Sequence, residues 1–151
     1  MKNFLHDEYN QRVQKTLAVM ATKGIDTLLV ADPANIYYLC GFDAWSFYMP
    51  QTMIVSAKLD EPICFVRQMD VGGAYIQTYL KDESIIPYPE KLVHVPPLHP
   101  YEYLVEVIKE KKLDSGTIAV EMDAHYFTAT WSTKFIEGLD QCKFVDRGLL
   151  V

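Results

Sequence analysis

Asp32-Pro-Ala-Asn-Ile-Tyr-Tyr-Leu-Cys-Gly-Phe-Asp-Ala-Trp-Ser-Phe-Tyr-Met-Pro-Gln51 holds a helix start, a helix stop and an aromatic run in one window. Asp32 is a good N-cap, and Pro33 suits the first helical position, where its missing N–H costs nothing. Gly41 supplies the left-handed residue that ends a short helix. The run that follows, with Phe42, Trp45, Phe47 and Tyr48, is too aromatic for an ordinary solvated loop. It is either buried within the domain or a surface made to meet something else.

Upstream, Tyr9, Val13, Leu17 and Met20 fall on one face of a helix over 8–23, and Gly24 ends it. Thr27 to Ala31 is a continuous apolar run of strand length, the pattern of a strand covered on both faces. Downstream, 51–57 and 62–66 are β-prone runs joined by a polar link that suits a hairpin. Residues 69–80 read as helix despite Gly72-Gly73, a pair that costs about 1 kcal/mol per glycine against alanine. Such a pair is easier to keep where another backbone comes close.

Ser84 to Tyr88 is a short strand, and Pro87 sends it to an edge or a strand end. Prolines 87, 89, 96, 97 and 100 make the next stretch extended and rigid. Pro100 opens a helix through Leu113. Thr117 to Val120 is another buried-type strand. Asp123 is placed to cap a helix with Phe127, Trp131, Phe135 and Leu139 at i+4 spacing, and 144–145 with 149–151 make a last extended segment. The order α β α β β α β α β α β predicts one α/β domain over 1–151. Its mixed sheet has about five or six strands, with helices on both faces.

With 151 residues, half of them apolar, the chain is long enough to bury a core. A net charge of −6 with scattered basic residues argues against nucleic acid as a partner. No apolar run is long enough to span a bilayer, so no membrane partner is expected, and no N-terminal h-region is present. A reducing cytoplasm is the expected location. Cys40, Cys64 and Cys142 have neither disulfide nor zinc spacing and read as small buried hydrophobes.

Little in the chain reads as catalytic. The Val30-to-Asn35 junction lacks the glycines of a dinucleotide fingerprint, and neither a P-loop nor a nucleophile elbow occurs. Glu121, Asp123 and His125 carry metal-ligating groups. They read better as a strand end, a helix cap and a first-turn residue, since strand geometry does not persist to 125. His94 and His99 lie in the proline-rich loop. A full core without a catalytic constellation points to part of something larger.

The chain resembles the N-terminal domain of the creatinase/prolidase (aminopeptidase P-like) family. The resemblance rests on Tyr9-x-x-Arg12 through Gly24-Ile-Asp26 and on Asp32-Pro-x-Asn35-x-x-Tyr38-Leu-x-Gly41-Phe42. Within the family, Gly41-Phe-Asp-x-Trp45-Ser-Phe-Tyr48-x-x-Gln51, Gln68-Met-Asp70, Tyr88-Pro89, His99-Pro-x-x-Tyr103 and Val120-Glu-Met-Asp123 are most similar to ectoine hydrolases. That resemblance implies a ribonuclease H-like α/β fold. It also implies a following "pita-bread" catalytic domain, which usually binds two divalent metal ions through two Asp, one His and two Glu; creatinase itself works without metal. No cofactor is implied in the 151 residues themselves, which are expected to be inactive alone.

The family resemblance further implies a homodimer in which this domain reaches over the partner subunit's active site and its small-molecule substrate. Trp45, Phe47, Tyr48, Met49 and Gln51 become candidate lid residues. In creatinases this loop supplies a phenylalanine and an arginine; Phe47 falls on the first and Met49 on the second. Without that arginine there is no carboxylate clamp here, which counts against creatine. An Xaa-Pro dipeptidase parent, or a purely structural interaction domain, is the alternative.

Overall fold

The computed structural model describes residues 4–43, 48–124, 127–148 and 150–151. Its elements run α1 (His6–Thr22), β1 (Thr27–Val30), α2 (Pro33–Cys40), β2 (Thr52–Ser56), β3 (Ile63–Arg67), α3 (Val71–Gln77), β4 (Ile85–Tyr88), α4 (Pro100–Glu110), β5 (Gly116–Val120), α5 (Ala129–Gly138) and β6 (Cys142–Asp146). Six strands form one sheet in the order β4-β3-β2-β1-β5-β6. β2 is antiparallel to both β1 and β3, while β1–β5, β3–β4 and β5–β6 pair in parallel. Five strands therefore run one way, and their carboxyl ends share one edge of the sheet, where β2 begins.

Alternation along the strands divides the core. Leu28, Val30, Met53, Val55, Cys64 and Val66 face α1, α2 and α3, where Val13, Met20, Ile36, Leu39 and Ala74 pack. Leu29, Ile54, Ile63, Phe65, Ile118 and Val120 face α4 and α5, meeting Tyr101, Leu104, Ile108 and Phe135. Each large apolar side chain buried in these layers stabilises the fold by about 1.5–3 kcal/mol. The continuous apolar runs in β1 and β2 follow from this, because both of their faces are covered.

Arg12 ties α1 to α2. Its guanidinium lies 4.3 Å from the Phe4 ring centroid and 4.5 Å from that of Tyr38, donates to the Tyr38 carbonyl at 2.8 Å and pairs with Glu8.

Several boundaries differ from the sequence reading. The helix expected over 69–80 is a 3₁₀ turn, Gln68–Asp70, followed by α3, which stops where Thr78 turns extended and its hydroxyl donates back to the Ala74 carbonyl. α4 ends at Glu110 rather than Leu113, since Lys112 takes a left-handed φ of 58°. α5 begins at Ala129: extended Thr128 is its N-cap, so Asp123 caps no helix. The last strand spans Cys142–Asp146. Pro87 does sit on an edge strand, β4.

Candidate functional site

α2 starts as its sequence requires. The Asp32 carboxylate accepts from the backbone N–H groups of Ala34 at 2.8 Å and Asn35 at 3.3 Å, and Pro33 occupies the first turn. The helix stops at Gly41, with φ 83° and its N–H on the Tyr37 carbonyl. A Cβ at Gly41 would come within 2.6 Å of the Tyr9 hydroxyl. Glycine is needed there twice over, for conformation and for space.

The end of β5 locks that junction from the other side. Glu121 is 1% exposed. One of its oxygens accepts from the N–H groups of Ala31 at 2.6 Å and Asp32 at 2.5 Å, and the other from the Asn35 side-chain amide at 2.6 Å. Arg147 Nε lies 2.8 Å from the latter oxygen, an ion pair rather than an aligned hydrogen bond. Burial pushes the Glu121 carboxyl above its ordinary range, while the Asp32, Asn35 and Ala31 donors and Arg147 pull it back. Two stretches far apart in sequence, Asp32-Pro-x-Asn35 and Val120-Glu121, thus join in one knot at the carboxyl edge.

Both Glu121 oxygens are committed to it, which argues against a metal-binding role. Asp123 is exposed, and His125 lies outside the described residues. Among the described residues no group of three or more His, Cys, Asp or Glu side chains is placed to hold a metal ion.

A cavity of about 160 Å³ opens between Met49 and Pro50, the 92–100 loop and Trp131. His99 is among the residues that line it. As N-cap of α4 its Nδ1 accepts from the Tyr101 N–H at 3.1 Å, while its own N–H donates to Glu102 at 2.9 Å. The imidazole lies 4.2 Å from Trp131, centroid to centroid, tilted by 39°. Burial, aided by Lys134 and opposed by Glu102, pulls the His99 pKa down to about 4, so the ring is neutral at physiological pH. Lys134 ties α5 to the loop through the Pro97 carbonyl at 2.6 Å.

The candidate lid residues part company here. Tyr48 is 53% exposed at the mouth of the cavity. Met49, 4% exposed, is turned inward as cavity wall. Gln51 is equally buried; its amide donates to Asp70 at 3.3 Å, and its carbonyl oxygen has no donor among the described residues. Trp45 and Phe47 lie outside the described residues. His99 and Trp131 were not singled out from the sequence as site residues. The available signal was a residue before a first-turn proline with glutamate three positions on, the spacing of a capping box.

The family model for the Creatinase/Prolidase N-terminal domain matches residues 12–151. Over 149 residues the chain is 38% identical to an uncharacterized hydrolase/peptidase, y4tM, of Sinorhizobium fredii, covering 99% of this chain and 38% of that protein. It is 34% identical over 149 residues to an ectoine hydrolase of Halomonas elongata, covering 98% of this chain and 37% of that protein. The chain therefore spans little more than a third of the length of these relatives. Among solved structures, the Creatinase/Prolidase N-terminal domain of an X-Pro dipeptidase from Streptococcus pyogenes matches with a TM-score of 0.68 at 19% identity, covering 92% of this chain and 94% of that one. No helix among the described residues is long and apolar enough to cross a membrane.

Proposed function

The chain belongs to the creatinase/prolidase N-terminal domain family, and on that premise we propose that it is the non-catalytic lid and dimerisation domain of a C–N hydrolase acting on a compact small molecule. The observation that carries this reading is the carboxyl edge itself. There Tyr48, Val95 and Leu98 stand exposed around one cavity. Brought over a substrate held by another domain, this apolar edge excludes water and strengthens the polar interactions it encloses. In this reading the unit 1–151 precedes a catalytic domain and works in a cytoplasmic homodimer.

The resemblance implies two divalent metal ions in the following domain, and in this one both Glu121 oxygens are committed to the α2 junction. Metal chemistry therefore belongs, in this reading, to the catalytic domain. Met49, turned inward, gives the lid no guanidinium with which to clamp a substrate carboxylate at that position. The 34% identity to an ectoine hydrolase supports an ectoine-like cyclic substrate; the X-Pro dipeptidase neighbour keeps an Xaa-Pro dipeptide as the second reading.

The test is turnover. The full-length protein is expected to hydrolyse one of ectoine, an Xaa-Pro dipeptide or creatine, in that order of expectation, and the 151-residue chain none of them. Turnover by the isolated chain, or none by the full-length protein supplied with divalent metal, would contradict the proposal.

A further inference from the structure

The cavity beside Tyr48 has the size and lining of a binding site in its own right. Its volume of about 160 Å³ compares with an engineered apolar protein cavity of about 150 Å³ that takes up benzene, so it admits one ring and little more. Met49, Pro50, Val95, Leu98 and Trp131 supply apolar and aromatic walls, and among the described residues no Asp, Glu, Lys or Arg lines it. A charged ligand entering there would lose water without gaining an ionic partner, which favours a neutral one.

His99 adds direction. Its Nδ1 is committed to accepting from the Tyr101 N–H, so the proton of the neutral ring resides on Nε2. The Trp131 ring at 4.2 Å and the N-cap position of α4 fix the imidazole in place. His94 and Tyr48 also line the pocket, but His99 is the lining donor whose tautomer is fixed by a backbone partner. Such a donor in a ring-sized, mostly apolar pocket suits a ring that carries a hydrogen-bond acceptor.

We infer that this pocket binds a single neutral five- or six-membered ring bearing a carbonyl-type acceptor, with His99 Nε2–H as the donor that orients it. The inference stands apart from the lid reading, because every residue it uses lies in the 151-residue chain and its readout is binding rather than turnover.

The test is titration of the ¹⁵N-labelled chain, followed by NMR, with δ-valerolactam, a neutral six-membered ring with one carbonyl. Piperidine, of similar ring size but protonated and lacking an acceptor, is the comparison. Saturable shifts of the Trp131 indole N–H and of the Leu98, His99 and Tyr101 amides are expected with the lactam. Piperidine is expected to bind about tenfold more weakly or not at all, the order of one lost hydrogen bond plus a desolvated charge.

His99→Ser keeps a capping oxygen for α4 but lacks the ring donor, and should weaken lactam binding about tenfold. Val95→Trp, made at an exposed loop position, fills the pocket and should abolish binding while leaving the remaining spectrum in place. Absence of saturable shifts up to the solubility limit of the lactam would overturn the inference. So would equal binding of piperidine, or undiminished lactam binding by a folded His99→Ser chain.

Discussion

Glu121 is a buried and His99 a half-buried polar group, both with committed partners, and each makes a separate prediction. Glu121→Ala removes the acceptor for two backbone N–H groups and one amide and leaves Arg147, itself largely buried, without its counter-charge. The expected loss is about 3 kcal/mol, because unmet buried donors and an uncompensated buried charge both cost stability. Urea unfolding is expected to show a lower midpoint at unchanged slope.

For His99 the sign follows from linkage. The folded ring takes up its proton only near pH 4, whereas the ordinary histidine value is 6.5, so the unfolded chain holds more protons between those limits. Stability from this residue is present above pH 6.5 and is lost as pH falls towards 4. Glu90, whose carboxyl is held down by Arg67, adds a slope of the same sign at lower pH. The melting temperatures of the wild-type chain and His99→Ser are therefore expected to differ most above pH 6.5 and to converge towards pH 4. A gap independent of pH would contradict a neutral, desolvated His99.

At the scale of elements, glycines separate what is required from what is merely present. Gly72 in α3 would meet nothing within 4 Å if given a Cβ, so no close approach inside the domain accounts for it. Gly72→Ala is expected to stabilise by about 0.5–1 kcal/mol. Gly41→Ala is expected to destabilise by more than that, through its positive φ and the Tyr9 hydroxyl. Thermal melts of the two variants should move in opposite directions.

Most elements were legible because their causes are local. The face of Tyr9, Val13 and Met20, the Asp32 cap with Pro33, and the apolar runs of β1 and β2 each carry their own signal. The start of α5 was not legible. The i+4 row from Phe127 to Leu139 reads as helix throughout, yet Phe127 reaches Tyr101 and Phe135 from the turn before the cap. Residues near 121 are instead held by Glu121's bonds to the end of β1, a contact across 90 positions that no local pattern announces. The cavity was hidden for the same reason, since its walls come from 48–50, 92–100 and 131 and meet only through the sheet order.

For the whole molecule, the sheet gathers the carboxyl ends of β1, β3, β4, β5 and β6 on one edge, as open α/β sheets with ligand sites do. This edge carries the Glu121 knot, the His99 cavity and exposed Tyr48, and the lid reading depends on it. The most direct test of the lid proposal is kcat/KM of the full-length protein on its best substrate among ectoine, Xaa-Pro dipeptides and creatine, with Trp45, Phe47 and Tyr48 changed to alanine singly and together. A fall of at least about tenfold in the triple variant, with folding and metal content unchanged, is the predicted result; it corresponds to about 1.4 kcal/mol of lost transition-state stabilisation. An unchanged kcat/KM in a folded triple variant would contradict the lid.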